Sequence, residues 1–307
     1  MANVVEKVQE FIEDFITDTL SDMAQSCLVR AGNTITDVAD LMGDSVTVTP
    51  QEWNKGAEGT KTVYETLKGI SDTAIMPLAV AILAIIICYD LITAVMDSNN
   101  MKEFDLGIFL RFGIKGWVAI YFMNNAFTIC GAFFEVGAWV AKTASDTLGK
   151  NTIEEMETLS SDKFKNMLES LSMGDLGLAC ILSLLVYIIS LAVMVIVMVV
   201  TAGRMIEILI YFSAAPIPFA TMTNKEWNNV GYSFLKNILA LALQAFFIIV
   251  VLSIYTTLFT SNVAGLEEIK GLKSLSGVLL QWICYSVVCC FTLLKTGSIS
   301  KSICGTH

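Results

Sequence analysis

The sequence predicts an all-α, polytopic membrane protein with about six transmembrane helices, and three observations carry that prediction. Of 307 residues, 55% are hydrophobic and 16% charged, and the mean hydropathy is +0.66, above that of an ordinary soluble domain. Two apolar stretches, residues 74–96 and 176–202, each exceed the roughly 20 residues that cross a hydrocarbon core, and the second contains no charge. Finally, the charges are unevenly placed: residues 1–73 hold thirteen acids against five bases, a local −8 out of the whole chain's −10.

The chain divides on this pattern into an acidic, amphipathic-helical region at 1–73 and a polytopic domain at 74–307, with a helical polar loop at 142–174. At the N-terminus, Val4, Val8, Phe11, Ile12, Phe15, Ile16 and Met23 recur on one helical face, opposite Glu6, Glu10, Glu13, Asp14, Asp18 and Asp22. This segment has no continuous apolar h-region and is not read as a cleavable signal peptide. Acids on the polar face argue against docking to anionic lipid. The expectation is a helix packed on its own protein or on a sister copy.

After a glycine-bearing linker, "MGDSVTVT", the "TPQE" of residues 49–52 supplies an N-cap, a proline at the first helical position and a glutamate at the third. A stripe through Trp53, Ala57, Thr60, Val63, Tyr64 and Leu67 leads into the first span. Residues 106–141 are too long for one upright crossing. They form either one strongly tilted span, the favoured reading, or two segments meeting near Asn124 and Asn125. In the polar loop, "TIEE" at 152–155 resembles a capping box, and Phe164, Met167, Leu168 and Leu171 keep helical spacing until Gly174 stops the run. Residues 205–222, 232–259 and 278–294 complete the spans. Bases counted near span ends favour both termini in the cytoplasm.

Several chemistries are excluded. The one histidine is His307, at the chain end, so no serine–histidine or cysteine–histidine pair is credible. There is no HExxH motif and no phosphate-binding glycine loop, so no cofactor, metal or ATP-driven motor is expected in this chain. The eight cysteines lie at no metal-ligand spacing and read as small packing residues. No basic patch interleaved with aromatics supports direct DNA affinity.

Ionisable groups within spans carry more information, because each costs about 2.5–3.5 kcal/mol or more near the bilayer centre unless protein or water receives it. The candidates are Asp90, Arg111, Lys115, Glu135, Arg204 and Glu207. They either wall a hydrated path or pair internally: Asp90 with Arg111 or Lys115, and Arg204 with Glu207 at a tight hairpin between spans. Pro216 and Pro218, within "YFSAAPIPFATM", deprive the carbonyls near Phe212 and Ala214 of helical partners, so the helix should break or re-enter there. In a bilayer such a break survives only where protein or a water-filled cavity covers it.

The run "GRMIEILIYFSAAPIPFATMTNKEW", residues 203–227, resembles the TrbL family, the polytopic inner-membrane subunit of type IV secretion and conjugation machines. It is particularly similar to versions from conjugative elements of Gram-positive bacteria, on Arg204, Glu207, Pro216, Pro218 and Thr221. The resemblance implies a non-enzymatic channel or scaffold subunit supporting transfer of single-stranded DNA with bound relaxase. It also implies membrane lipid, a homo-oligomer, other secretion-system subunits including ATPases, and at most transient contact with the translocating strand. Two other classes remain open: a secondary transporter or ion channel acting alone, and a purely structural assembly scaffold.

Overall fold

The computed structural model describes residues 2–41, 45–53, 62–97, 106–148, 162–264 and 272–306. Every regular element among them is helical. In chain order the α-helices are α1 (Ala2–Leu41), α2 (Val63–Ile70), α3 (Met76–Asp97), α4 (Leu106–Asn124), α5 (Ala126–Leu148), α6 (Asp162–Glu169), α7 (Met173–Ala214), α8 (Pro216–Thr221), α9 (Asn228–Ala264) and α10 (Leu272–Ile303). The "TIEE" start and parts of the 42–49 linker and of the stripe after Trp53 lie outside the described residues.

Among the described residues, four helices are long and apolar enough to cross a membrane: Val63–Met96, Met173–Ala214, Asn228–Val263 and Lys273–Ile303. The bent pair Leu110–Asn124 and Ala126–Asp146 makes a fifth if it is one span. That agrees roughly with about six. The expected span at 205–222 is not a separate crossing, since α7 runs unbroken to Ala214 and only six residues beyond it form α8.

The favoured single tilted helix at 106–141 is corrected: α4 and α5 meet at Asn125 with a 59° bend. The Asn125 side-chain amide donates to the Tyr121 carbonyl at 2.8 Å, the oxygen its own backbone N–H also approaches at 3.1 Å. Side-chain competition of this kind loosens a helical turn. Thr49 does open a turn, its carbonyl accepting from the N–H groups of Glu52 and Trp53 at 3.0 Å. A full capping box stands further on at Thr62 and Glu65. Between α2 and α3, a π turn at Ser71–Ile75 precedes Pro77, whose ring cannot accept a regular turn before it. Gly174 does not stop a helix; α6 already ends at Glu169, and Gly174 lies inside α7.

The chain forms two compact units, and the long helices contribute to both. The first comprises residues 1–46, 142–201 and 247–296. Here the second half of α1 buries Ala24, Leu28, Ala31, Ile35 and Val38, and α6 packs on α1 with Phe164 and Leu168 buried. Lys165 binds Asp22 at 2.7 Å and Glu169 at 3.7 Å, and the bond to Asp22 raises the lysine's pKa. Phe259 stacks on Trp282 at 4.6 Å, and Tyr255 shares a 2.9 Å hydrogen bond with Ser286. The expected packing of the first half of α1 does not occur in this chain, since Val8, Phe11, Ile12 and Phe15 are exposed.

The second unit comprises residues 47–141, 202–246 and 297–307. Its core gathers Met123, Phe134, Met205, Ile208, Phe212 and Phe219. Phe212 takes Tyr64, Phe127 and Phe134 around its ring at 6.1, 5.7 and 5.4 Å. Gly137 lets α5 meet the α9 backbone, where an added Cβ would lie 2.6 Å from the Ala242 carbonyl oxygen. Such close approach through small residues is how helices associate where lipid offers no hydrophobic drive.

Candidate functional site: the proline break and its polar ties

The helix opens just before the two prolines. Ala215 leaves the regular pattern, and its N–H bonds the Phe212 carbonyl at 3.1 Å. One carbonyl that Pro216 strands thus finds a donor through a tightened turn. Pro216 then occupies the first position of α8, where a missing N–H costs nothing. The Pro218 carbonyl accepts from the Thr221 hydroxyl at 2.7 Å.

The chain's own helices cover the break. α8 packs on α3 and α4, with Pro216, Phe219, Ala220 and Thr221 buried. Phe219 stacks parallel to Phe122 at 6.3 Å and meets Phe234 edge-on at 6.0 Å. On α9, Gly231 leaves room for the Pro218 carbonyl oxygen, which a Cβ would approach to 2.9 Å. An open groove of about 450 Å³ flanks the break, lined by Tyr211, Pro218, Asn229, Ser233, Phe234 and Asn237.

Polar side chains hold the segments around the break. Of the two candidate partners for Asp90, Lys115 is the one that reaches it, at 3.4 Å. The other Asp90 oxygen accepts from the Asn224 side-chain amide. The Asn224 carbonyl oxygen in turn receives the N–H groups of Glu226 and Trp227 at 2.7 and 3.1 Å, capping the approach to α9. One carboxylate therefore links α3, α4 and the α8–α9 connection. Arg111 and Glu135 stay exposed on α4 and α5, outside this cluster.

Arg204 and Glu207 do not pair, and no hairpin forms between them. Arg204 is buried, and its Nε donates to the Leu241 carbonyl on α9 at 3.2 Å. Glu207 binds Lys301 of α10 at 2.8 Å, and the Ser300 hydroxyl donates to the Ala240 carbonyl. Two charges three residues apart on a continuous helix thus reach different neighbours, one α9 and the other α10. Asn224 and Lys301 were missed as site residues. A cap-forming asparagine just after the break was a readable signal; the reach of Lys301 to a residue 94 positions earlier had none.

With helix as the only regular structure among the described residues, and four to five of those helices long and apolar enough to cross a bilayer, this is a multi-pass membrane protein, in which Asp90, Arg204 and Glu207 are met by other parts of the same chain. More narrowly, it belongs to the TrbL/VirB6 plasmid conjugal transfer family: residues 34–216, more than half of the chain, match the family described as TrbL/VirB6 plasmid conjugal transfer like protein. It is therefore a component of a conjugal-transfer apparatus, built to work with other secretion-system subunits. The match contains Arg204 and Glu207 and ends on Pro216. Neither a curated protein nor a solved structure matches the chain.

Proposed function

We propose that the chain is a non-enzymatic channel or scaffold subunit of a conjugative secretion system, acting as a homo-oligomer beside the system's ATPases while single-stranded DNA with bound relaxase is moved. The observation that carries this reading is the break at Ala215, covered and polar-tied within one unit of a chain from a conjugal-transfer family. Such a break, where the regular α-helical hydrogen bonds are interrupted, keeps its place among membrane helices only because protein covers it. On this reading Pro216 and Pro218 set the break. Asp90, Lys115, Arg204 and Glu207 hold helices rather than relay ions, and Arg111 and Glu135 are left to face partners or the path.

Replacing both prolines with leucine tests this. The two restored N–H groups would let α7 continue through residue 221 and pull Phe219 out of its stack. DNA transfer should fall sharply at unchanged membrane abundance; normal transfer would remove the role assigned to the break. Solute transport by the purified protein alone in liposomes would favour an independent transporter.

A further inference from the structure

We infer that the groove beside the proline break seats the phosphate-bearing headgroup of a membrane glycerophospholipid. The groove exists because α10 stops before its neighbours do. Glu207 of α7 binds Lys301 of α10 at 2.8 Å, and the Ser300 hydroxyl donates to the Ala240 carbonyl of α9, but α10 ends at Ile303. The last turn of α7, with Tyr211, and the first turns of α9 run on beyond that end, and about 450 Å³ between them stays open. That volume falls in the roughly 300–1,000 Å³ range of small-molecule sites. The charged Lys225 and Glu226 precede α9, whereas residues 237–264 carry no charge. Trp227 and Tyr232 are exposed at the same end of α9, as aromatic residues are at a membrane–water boundary. The groove therefore lies at headgroup depth, a placement that rests on the multi-pass assignment and not on the channel reading.

The lining selects the occupant. Asn229, Ser233 and Asn237 recur every four residues, within about 80° on one face of α9, and stand across the groove from Tyr211. Among the described residues no hydrogen bond engages these four side chains, so two amides and two hydroxyls are left to donate to phosphate oxygens. Lys236, about 60° round α9 from Ser233, is exposed at the rim, where its ammonium adds a charge-assisted bond. Among the described residues the lining holds no acid, and Glu207, one turn before Tyr211, is neutralised by Lys301. A cation would thus meet no carboxylate, and an apolar partner helix would bury four polar side chains without partners. The headgroup's own donors, an ammonium or a glycerol hydroxyl, have a counterpart as well. Pro218 brings no N–H to the Ala214 carbonyl, and Ala214 is half-buried between Tyr211 and Pro218 in the chain. Val230 and Phe234 give apolar surface to the glycerol and the first acyl carbons.

The test is native mass spectrometry of the full chain in detergent, titrated with dioleoyl phosphatidylglycerol and, separately, with dioleoylglycerol, which has the same acyl chains and no phosphate. The phospholipid should bind saturably, one per chain, and dioleoylglycerol about tenfold more weakly or worse. Inorganic phosphate, which lacks the chains, should not displace it. Combining Asn229→Ala with Asn237→Ala should weaken binding about tenfold, Ser233→Phe should abolish it by filling the groove, and Thr292→Ala, an exposed hydroxyl on α10, should leave it unchanged. A photoreactive phenylalanine analogue at Val230 of the otherwise unaltered chain, irradiated in native membranes, should yield a phospholipid adduct. Equal binding of dioleoylglycerol, displacement by inorganic phosphate, saturable binding that survives Ser233→Phe, an equal loss with Thr292→Ala, or adducts at Val230 confined to polypeptide would each overturn the inference.

Discussion

Gly231→Val tests the seating of the break on α9. A Cβ at residue 231 would stand 2.1 Å from the Met222 Cγ and 2.9 Å from the Pro218 carbonyl oxygen. Met222 can swing aside, but the Pro218 carbonyl belongs to a backbone that two prolines fix and that packs on α3 and α4. For Gly231→Ala, overpacking of about 1–3 kcal/mol is partly offset by a helix-propensity gain of about 1 kcal/mol, leaving a small net loss. Valine puts two further carbons into the same gap and should reach the upper end, about 3 kcal/mol. Gly203→Ala is the contrast, because nothing lies within 4 Å of its added Cβ, and it should cost nothing. Thermal unfolding of the three purified variants in one detergent, with transfer frequency normalised to abundance, reads the series. Equal melting of Gly231→Val and wild type would refute the placement of α8 against α9.

Other expectations follow from the polar ties. Asn224→Ala removes the donor to Asp90 and the cap on α9, and should destabilise by about 1–2 kcal/mol in detergent unfolding. Asn224→Asp keeps the capping oxygen but sets a carboxylate in place of the amide donor to Asp90, so it should destabilise at least as much as Asn224→Ala. The Glu207–Lys301 pair is about 40% exposed at both ends, so a double-mutant cycle should yield less than about 1 kcal/mol of coupling, with the charge swap Glu207→Lys/Lys301→Glu recovering most of it. Burial pushes the Cys27 thiol above its ordinary range, with Arg30 opposing weakly. In a variant keeping only Cys27, maleimide labelling should therefore be slow at neutral pH and should still be accelerating above pH 9.

Composition and run length made the helical membrane class legible, because a stretch such as 176–202 has no stable alternative to a buried or lipid-facing helix. The proline break was legible for the same kind of reason: Pro216 removes a specific N–H wherever it sits. The pairing Asp90–Lys115 was one of two options the spacing allowed, since Arg111 and Lys115 share a helical face and the sequence says nothing of which approaches α3. The Asn125 bend depended on a side chain competing for the Tyr121 carbonyl, which residue type permits but does not require. The apolar stripe of α1 is a periodicity in the sequence; amphipathicity specifies a face but not what covers it.

Arg204 shows why local reading of charge fails inside a membrane protein. On a soluble helix surface, an arginine and a glutamate three residues apart gain a few tenths of a kcal/mol from each other, and no stronger partner competes. In the second unit, however, a buried guanidinium left without hydrogen bonds would cost far more than that. The fold therefore assigns each charge by what the surrounding helices present: the Leu241 carbonyl to Arg204 and the Lys301 ammonium to Glu207. These ties bind α7 to α9 and to α10 just ahead of the break, where the prolines have removed the backbone's own means of staying in line. A helix broken at Ala215 can thus keep one arrangement because it is held from the side at Arg204 and Glu207, about three and two turns before the break. Arg204→Met, which fills the space but donates nothing, should then loosen the segment beyond it more than the segment before it. Hydrogen exchange would read this as faster exchange at residues 208–222 with 190–200 unchanged, and uniform behaviour along α7 would argue that apolar packing alone sets the break.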